Sequence, residues 1–535
     1  MSKVFEQLVE MRGFGQEFLR PEYEACLDAS LLPDMDKAVE RIRQARRRGE
    51  RCLIYGDYDA DGVTASVVLH DALKLAGVTE VQVMLPNRFT DGYGMSTKVV
   101  QSAADMGVKL VLTVDCGSRN HEIVDELNKI GVDTIVTDHH ECGDSLPEAV
   151  AVVNPKRRDV KASSELRELA GVGVAFKLAQ ALVQAGLIKA GQEKWLLDLV
   201  VVGTICDSML MNVENRRLCY YGMKVLSKTR RKGLRELMMV AGVKELSGEA
   251  IGFQLGPRLN AAGRMETAEK ALNLLMAERR TEAAGLANEL NSLNELRKQQ
   301  QNAAMAEIAE RGLDDNPVIV EQGEWHEGVL GIIAGRLTEE YKKPAFVLTK
   351  VGDYLKGSGR SFGEFSLAAA LKACEEYIIG GGGHAAACGL TLAEDRLGEF
   401  RQAVNAYYES LKLTDQARYL EVREDLVVGN FEDLSLELMD ELKTLEPFGD
   451  GNEVPIFRLR EARVVEAARL GEKGQHLRLG LWDRNEHFFK VIGFEVPERY
   501  LDVRAGDVVD VWVTLEENVF RGIRSVEGRI VRLTV

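Results

Sequence analysis

The sequence is poor in features that mark membrane and non-globular proteins. Only 11 of its 535 residues are proline, and its apolar runs are short. The longest, residues 196–206, is interrupted by Asp198 and is too short to span a bilayer. The amino-terminal residues also lack the uninterrupted apolar segment of a signal peptide. We therefore expect no membrane segment and a cytoplasmic location.

Paired cysteines and an excess of positive charge are missing too. None of the eight cysteines forms a Cys-x-x-Cys motif, which argues against a zinc site. Several lie in apolar runs, where a reduced thiol acts as a small core residue. The 68 Lys and Arg residues against 84 Asp and Glu residues give a net charge of −16. This balance excludes a uniformly basic nucleic-acid-binding surface but not a local basic channel.

What the sequence does contain is an ordinary globular composition, 45% apolar and 28% charged. Its length suggests about three or four domains. Between residues 51 and 155, short apolar runs alternate with amphipathic stretches, which is typical of a parallel, doubly wound α/β sheet. The predicted strands are residues 52–55, 81–85, 110–114, 134–137 and 151–153, and helices are predicted at 63–76 and 121–130.

Three further regions follow along the chain. Residues 171–255 have a mostly helical pattern, and residues 267–310 predict a long connecting helix because they contain little Gly or Pro. A second α/β unit is expected over 317–408, and a small β-barrel or sandwich after residue 414. The second unit has predicted strands at 318–320 and 345–348 and Gly-rich turns at 357–359 and 380–383, and the β domain has strands at 477–482, 488–494 and 508–515.

Acidic and histidine side chains follow several apolar segments. Ligands of open α/β sheets bind at the carboxyl ends of the strands, so we expect these side chains to meet at one edge. Asp57, Asp59 and Asp61 follow the first strand, Asp115 follows the third, Asp138, His139 and His140 follow the fourth, and Asp207 follows the apolar run 199–206.

Each of these pieces alone has a simpler interpretation. An Asp-Gly after a strand is usually a turn or a helix cap, and a calcium loop starting at Asp57 would need an acidic residue at Val68. Their coincidence favours a metal site, because clustered carboxylates repel one another unless cations neutralise them. A mixed Asp and His set suits Mn²⁺ or Mg²⁺. Two such ions about 4 Å apart would activate water for phosphate-ester hydrolysis.

These motifs also resemble a known superfamily. DYDADG (57–62), VDCG (114–117), DHH (138–140) and GTICD (203–207) look like the four signature motifs of the DHH phosphoesterases. Further stretches are similar to the RecJ family of single-strand-specific DNA exonucleases within it. They are PNRFTDGYG (86–94), GPRLNAAGR (256–264), HEGVLGI (326–332), GSGRS (357–361), GGHAAA (382–387) and PFGDGN (447–452).

The resemblance implies a modular architecture of class α/β. It comprises a parallel-sheet DHH domain, a long connecting helix, a second α/β DHH-associated domain and a carboxy-terminal OB-fold β-barrel that binds single strands. The expected boundaries are 1–50 for an amino-terminal extension packing on the core, 51–265 for the DHH domain, 266–312 for the connecting helix, 313–412 for the DHH-associated domain and 413–535 for the OB-fold.

The resemblance also implies roles for individual residues. Two Mn²⁺ or Mg²⁺ ions would be held with Asp115 as the bridging ligand, His140 would face the substrate phosphate or complete the metal shell, and His384 would contact the scissile phosphate. Asp138 would orient the histidines. The implied metal ligands are Asp57, Asp59, Asp61, Asp115, His139 and Asp207, and the catalytic set is Asp59, Asp61, Asp115, His139, His140, Asp207 and His384.

This sequence departs from the superfamily pattern at a few positions. Tyr55 stands where many members have a histidine ligand, and Asp57 is the candidate replacement. Residues 208–211 read Ser-Met-Leu-Met where many family members have Val-Val-Pro-Leu, although Asp207 is retained. Cys388 replaces a common alanine.

Arginines in the matched motifs are candidate phosphate ligands, because a guanidinium grips phosphate with two donors. By resemblance, Arg88, Ser358 and Arg360 would recognise the 5′ end of the strand. The alternative is ordinary surface ion pairing, and for the basic runs at 41–51 and 228–235 a solvated helix face is the favoured interpretation. The full candidate set is Arg88, Arg258, Asn260, Arg264, Ser358, Arg360 and His384.

The function implied is 5′-to-3′ hydrolysis of single-stranded DNA to mononucleotides, in DNA repair and recombination. Two alternatives stay open: a phosphodiesterase for short oligonucleotides or cyclic dinucleotides, and a non-catalytic single-strand-binding adaptor. A pyrophosphatase is disfavoured because so small a substrate needs no extra binding barrel. A helicase and a single-strand-binding protein are implied further partners, and a monomer is the favoured state.

Overall fold

The structure is a computed structural model that describes residues 1–92, 94–159, 163–414 and 419–535. Among these residues no helix is both long and apolar enough to cross a membrane. The chain divides into two compact units, which are described one at a time. The first contains Met1–Asn260, Ala268–Ala287 and Val422–Val535, and the second contains Ala261–Thr267 and Asn288–Glu421.

The amino-terminal extension of the first unit is helical, and its helices pack against two different parts of that unit. Helix α1 (Lys3–Met11) is followed by α2 (Gln16–Leu19) and α3 (Met35–Arg48). Phe5 and Leu8 of α1 belong to the same apolar core as the carboxy-terminal β domain. Helix α3 instead packs beside the parallel sheet, where buried Arg41 contacts Asp133 at 2.6 Å.

A five-stranded parallel sheet forms the centre of the first unit. Its strands are β1 (Cys52–Tyr55), β2 (Val81–Met84), β3 (Leu110–Val114), β4 (Asp133–Thr137) and β5 (Ala151–Val153). They pair in the order β2-β1-β3-β4-β5, so each strand predicted for this region is present. The order reverses between β1 and β3, which is the position where open α/β sheets bind their ligands.

Helices cover this sheet and continue beyond it. The helices between the strands are α4 (Ala60–Leu75), α5 (Thr97–Met106) and α6 (His121–Lys129). Those that follow are α7 (Ser164–Arg167), α8 (Gly171–Gln184), α9 (Leu197–Cys206), α10 (Val213–Leu226), α11 (Lys232–Ala241), α12 (Gly248–Ala250) and α13 (Gly256–Met265). A π-helical turn, Ile251–Leu255, joins α12 to α13.

The predicted connector is interrupted. Residues 267–310 were expected to form one helix, but α14 (Glu269–Met276) ends before α15 (Arg280–Arg311) begins. Ala277 is extended, with ψ 125°, and breaks the helical path. Because neither Gly nor Pro marks this break, composition gave no sign of it.

The second unit contains a mixed five-stranded sheet. Its elements are β6 (Ile319–Gln322), α16 (Leu330–Tyr341), β7 (Ala345–Val351), β8 (Tyr354–Arg360), α17 (Leu367–Ala373), β9 (Gly380–Gly383), β10 (Ala387–Ala393) and α18 (Leu397–Leu411), with strand order β6-β7-β8-β10-β9. The glycine-rich segments predicted as turns are therefore strands. A Cβ at Gly359 would lie 2.7 Å from Cys388 Sγ, so close packing accounts for a glycine within β8.

The carboxy-terminal part of the first unit is a closed barrel, as an OB-fold requires. Its elements are β11 (Leu426–Val428), α19 (Leu436–Lys443), β12 (Phe457–Leu470), β13 (His476–Trp482), β14 (Phe488–Gly493), β15 (Val508–Phe520) and β16 (Ile523–Thr534). Strands β12 and β15 pair with each other and close the ring β12-β13-β14-β16-β15. Closure removes the free edges that an open sheet would present.

Polar contacts also hold the barrel to the rest of the first unit. Arg12 Nε and Nη2 donate to the two carboxylate oxygens of Asp425 at 2.7 and 2.9 Å. Arg216 is fully buried, and its guanidinium donates at 2.7 Å to the carbonyl oxygens of Phe18, Thr444 and Glu446. These bonds connect the extension, α10 and the barrel.

Candidate metal centre

Four segments bring acidic and histidine side chains to the carboxyl edge of the parallel sheet. The loop after β1 carries Asp57 and Asp59, and Asp61 lies in the first turn of α4. Asp115 follows β3 and His139 follows β4, while Asp207 caps the carboxyl end of α9. The expectation that these side chains meet is confirmed by the distances between them.

Three overlapping groups of ligand atoms result. Within each group the candidate ligand atoms lie within 4.8 Å of one another, which is the spacing of donors around a single cation. Because Asp115 and His139 each belong to two of the groups, the site has room for adjacent ions that share ligands. The groups are Asp57–Asp59–Asp115, Asp61–His139–Asp207 and Asp115–His139–His140.

Asp61 is fixed by the start of a helix. The backbone amides of Gly171 and Val172, at the beginning of α8, donate to its two carboxylate oxygens at 2.6 and 2.9 Å. The positive end of the helix dipole favours a carboxylate at this position. Asp61 is only 2% exposed, so its orientation does not depend on solvent.

Asp115 is held in an unusual backbone conformation. Its φ of 60° lies in the left-handed region, which Asp tolerates better than most residues. A Cβ at Gly171 would lie 2.6 Å from the Cβ of Asp115, so α8 approaches the site closely because residue 171 is glycine.

Asp138 contacts His139 through its backbone amide, and His140 through its backbone amide and its ring. Its Oδ1 accepts the backbone amides of His139 and His140 at 2.7 and 3.1 Å, and contacts His140 Nδ1 at 2.9 Å. Its Oδ2 accepts the amide of Ser118 at 3.0 Å. Although burial alone would raise the pKa of Asp138, these bonds and the histidine charges hold it below its usual range.

The electrostatics of the cluster are unfavourable without cations. Burial and then the neighbouring carboxylates raise the pKa of Asp57 and of Asp207 to about 8, and that of Asp61 to about 7. The same causes raise the pKa of Asp115. Burial, together with the charge of His140, lowers the pKa of His139 to about 3, so this imidazole is neutral.

Several buried polar atoms of the cluster have no hydrogen-bond partner among the described residues. They include Asp57 Oδ1, Asp115 Oδ1 and His139 Nε2. His139 Nε2 lies 3.0 Å from Asp115 Oδ1 but forms no hydrogen bond with it, and it lies 3.6 Å from Asp207 Oδ2. A buried group without a partner costs free energy. These orphaned lone pairs, with the Asp and His donor set, fit Mn²⁺ or Mg²⁺.

Tyr55 takes no part in this cluster. It is the last residue of β1, is fully buried in the apolar core, and donates its hydroxyl to the carbonyl of Gly94 at 3.1 Å. Asp57 is within 4.8 Å of Asp59 and Asp115. Asp57 therefore lies in the cluster, and its role as a replacement for the histidine absent at residue 55 stays a prediction.

Some of the predicted phosphate ligands also lie in the first unit. The Arg88 guanidinium stacks 4.1 Å from the ring of Tyr58, and its charge acts on the neighbouring Asp57. Asn260 Oδ1 accepts the backbone amide of Ala60 at 2.9 Å, which ties α13 to the first acidic motif. Arg258, two residues earlier, is only 9% exposed and donates to a carbonyl of the π-helical turn.

The remaining predicted residues belong to the second unit. Ser358 and Arg360 lie on β8, where Arg360 donates to the carbonyl of Gly359. His384 is exposed just after β9, with its amide bonded to Ala387 O at 2.8 Å. Arg264 lies near the end of α13, against Gly328.

Some residues that position the ligands were not predicted from the sequence. Gly171 and Val172 were not singled out, since they lie 110 or more positions from the carboxylate they bind. Asn154 was also missed: its side chain donates to His140 O at 2.9 Å and to Ser118 Oγ at 2.8 Å. A glycine pair before a helical pattern was the available signal for the first two residues.

Comparison with protein families agrees with this geometry. Residues 51–204 match the DHH family, N-terminal domain, residues 315–410 match the DHHA1 domain, and residues 427–532 match the RecJ OB domain. The three matches follow the same order as the parallel sheet, the mixed sheet and the barrel.

Individual relatives extend the agreement along the chain. The single-stranded-DNA-specific exonuclease RecJ of Bacillus subtilis (strain 168) is 37% identical over 94% of this chain, which spans 64% of that relative's length. RecJ of Dickeya dadantii (strain 3937) is 34% identical, with 98% of this chain and 94% of the relative covered.

Solved structures agree as well. RecJ of Thermus thermophilus in complex with Mn²⁺ matches all of this chain and 76% of that chain, with 31% identity and a TM-score of 0.86, and its complex with Mg²⁺ gives 0.80. Taken with the three matched domains, this chain therefore belongs to the RecJ family of single-stranded-DNA-specific exonucleases.

Proposed function

We propose that this protein is a metal-dependent exonuclease that hydrolyses single-stranded DNA from the 5′ end to mononucleotides, in DNA repair and recombination. The observation that carries the proposal is the set of three overlapping ligand groups at the carboxyl edge of the parallel sheet. Family membership supports single-stranded DNA as the substrate. Retention of the whole acidic and histidine set argues against the non-catalytic adaptor.

The ligands of the proposed centre are Asp57, Asp59, Asp61, Asp115, His139 and Asp207. Two divalent cations held by these side chains would lower the pKa of a bound water and neutralise charge on the phosphate oxygens. The start of α8 would orient Asp61. Asp138 would orient His139 through the backbone amide of that residue and His140 through its ring. Neutral His139 keeps a lone pair free for coordination, as its lowered pKa requires.

His140 is the candidate for contact with the substrate phosphate. Burial opposes its charge, but the hydrogen bond and charge of Asp138 outweigh burial and raise its pKa. A charged imidazole about one-third exposed can donate a proton or a hydrogen bond to a phosphate oxygen. Asp138 therefore acts through His140 as a positioning residue.

We propose that phosphate-binding residues set the 5′-to-3′ direction of hydrolysis. Arg88, Ser358 and Arg360 would recognise the 5′ end of the strand, and His384 would contact the scissile phosphate. Arg258, Asn260 and Arg264 are further candidate phosphate ligands. A guanidinium is suited to these contacts because it presents paired donors.

The proposal extends to the location, the oligomeric state and the partners of the protein. We propose a cytoplasmic, monomeric enzyme that works with a helicase and a single-strand-binding protein. Eight free cysteines support a reducing compartment. Sedimentation of the purified protein and co-purification with tagged partners would test these points, and a dimer mass or absent partners would refute them.

One assay separates the candidate activities. A long single strand labelled at its 5′ or 3′ end, the matching duplex and a dinucleotide are incubated with Mn²⁺, and nucleotide release is followed. Early release of the 5′ label from the single strand supports the proposal. Preference for the dinucleotide would favour the short-substrate phosphodiesterase, and tight binding without cleavage would favour the adaptor.

A further inference from the structure

Lys156 is not among the phosphate ligands predicted from the sequence, yet it stands beside the metal centre. It lies in the loop that follows β5, and β5 pairs in parallel with β4, where Thr137 is opposite Val153. The amide of Asp138 donates to the carbonyl of Val153 at 3.1 Å, which continues this pairing past the end of β4. The loop after β5 therefore runs alongside the segment that carries the two histidines, at the carboxyl edge of the sheet.

Two buried side chains hold this loop in place. Asn154 Nδ2 donates to His140 O at 2.9 Å, while Asn154 Oδ1 accepts the backbone amide of Lys156 at 2.8 Å. On the other side of the loop, Arg157 Nη1 donates to the carbonyl of Val152 at 2.9 Å. The backbone of residue 156 is thus fixed before a substrate binds, which lowers the entropy cost of a contact made by its side chain.

The side chain of Lys156 is the part of this loop that is left without a partner. Lys156 is half-buried, and among the described residues its ammonium group makes no hydrogen bond and no ion pair. The neighbouring Arg157, in contrast, binds Asp159 at 2.6 Å. A cation without a protein partner is available to an anion from outside the protein.

The charge of Lys156 acts on two of the metal ligands. Burial and then the charge of His140 lower the pKa of His139, and Lys156 adds to this lowering. Burial and then the neighbouring carboxylates raise the pKa of Asp207, and Lys156 opposes that rise. Because the interaction of charges weakens with distance, the ammonium group lies close to the ligand group that contains His139 and Asp207.

Lys156 and Arg88 lie at different ends of the ligand cluster. The charge of Arg88 acts on Asp57, which belongs to a different ligand group from Asp207. A strand whose scissile phosphate lies between the two groups can therefore present one neighbouring phosphate to each cation. Since Arg88 is proposed to recognise the 5′ end, the position of Lys156 fits the phosphate on the 3′ side.

We propose that Lys156 binds the phosphate that follows the scissile one, in the part of the strand that remains after cleavage. The inference rests on the proposed function and deepens it, because it names a contact that holds the remaining strand while the first nucleotide leaves. A lysine suits this contact because its ammonium group is a point charge on a flexible stem. A phosphate contact carries no sequence information, so it serves every strand equally.

The test uses the full-length enzyme with Mn²⁺ and single strands in which one neutral methylphosphonate replaces one phosphate. KM and kcat for release of the first nucleotide are measured with each strand. In the wild type, a methylphosphonate between nucleotides 2 and 3 should raise KM about tenfold, as the loss of one charged hydrogen bond does. Lys156→Met should raise KM for the unmodified strand by a similar factor, and this methylphosphonate should then change its KM less than about twofold.

The salt dependence of KM gives a second readout. Each phosphate contact to a single strand releases counterions and adds about 0.7 to the slope of log KM against log KCl concentration. Lys156→Met should lower this slope by about 0.7, and Lys156→Arg, which keeps the charge, should retain it. The Mn²⁺ affinity of Lys156→Met, measured by titration calorimetry, should not fall, because the substitution removes a positive charge near the cations.

Lys129→Met is the matched control, since Lys129 is exposed in the last turn of α6, toward the amino edge of the sheet. It should keep the wild-type KM, salt slope and response to every methylphosphonate. If Lys156→Met responds to the methylphosphonate between nucleotides 2 and 3 as the wild type does, Lys156 does not bind that phosphate. A lower Mn²⁺ affinity in Lys156→Met would assign this residue to the metal centre instead. If the wild type releases no nucleotide from any strand, the proposed function itself fails, which is a different result.

Discussion

A Cβ on Gly171 would lie 2.6 Å from the Cβ of Asp115. Gly171 also donates its amide to Asp61 Oδ2. This one residue therefore orients the carboxylate of Asp61 and limits the space around the side chain of Asp115. We expect Gly171→Ala to displace α8 and to weaken Mn²⁺ binding roughly 10–100-fold, as losses of supporting residues around metals do. Titration calorimetry with Mn²⁺ measures this directly.

Gly285→Ala is the control for that substitution. Gly285 lies in α15, and a Cβ added there would have no other atom within 4 Å, so alanine should leave Mn²⁺ affinity unchanged and favour the helix slightly. Wild-type Mn²⁺ affinity in Gly171→Ala would contradict the role assigned to the start of α8.

Asp115→Asn should lower the turnover of the enzyme and raise the stability of the metal-free protein. Loss of the shared carboxylate removes several kcal/mol of charge stabilisation, so turnover should fall at least about 100-fold. In the metal-free protein the same change removes a source of repulsion, and the melting temperature should rise. Nucleotide release and thermal unfolding in EDTA check the two parts.

Asp315 is exposed, so Asp315→Asn is the control for Asp115→Asn. Asp315→Asn should change neither turnover nor the melting temperature by a measurable amount. Turnover at the wild-type rate in Asp115→Asn would refute the bridging role.

The raised carboxylate pKa values predict a pH dependence for the metal-free protein. The pKa of Asp57 is about 8 in the folded protein and near 4 when unfolded. The folded state therefore binds more protons between these values, so the free energy of unfolding falls as pH rises from about 5 to 8. In Asp57→Asn the free energy of unfolding should decrease less over this pH range. Mn²⁺ should reduce the decrease in the wild type.

Thermal melts at pH 5.5 and pH 8, with EDTA or with Mn²⁺, give the measurement. The difference between wild type and Asp57→Asn isolates this group from other titrating residues. An identical loss of stability in both proteins would show that Asp57 does not carry the effect.

A buried ion pair outside the metal centre should matter for stability. Lys177 Nζ lies 2.6 Å from Glu214 Oε1, and both side chains are fully buried. Lys177→Met leaves the carboxylate with a weaker partner, Arg217 at 3.7 Å, so we expect a loss of about 3 kcal/mol. Urea unfolding followed by circular dichroism measures the change.

Arg158→Met is the matched surface case, because Arg158 and its partner Asp144 are both largely exposed. Its cost should stay below about 1 kcal/mol. Equal costs for the two variants would mean that burial does not decide the strength of these pairs.

The catalytic edge could be predicted from sequence because its signals are local. Asp57 and Asp115 each closely follow an apolar strand, and parallel topology brings such strand ends together. The family resemblance then assigned chemistry to them. Neither step required knowledge of contacts between distant segments.

Contacts between distant segments explain what was not predicted. Nothing near Gly171 in the sequence indicates that its amide binds Asp61. The break at Ala277 lacks a Gly or Pro. The glycines of β8 resemble a turn in composition, but they are placed there by close neighbours from β7 and β10.

The shared core of α1 and the barrel has a consequence for synthesis on the ribosome. Phe5 and Leu8 leave the ribosome some 420 residues before their apolar partners near residues 426–515. At roughly 5–20 residues per second, that interval lasts about 20–80 s. During it these apolar side chains lack the barrel that covers them in the folded protein, so a delay in translating the barrel lengthens their exposure to solvent.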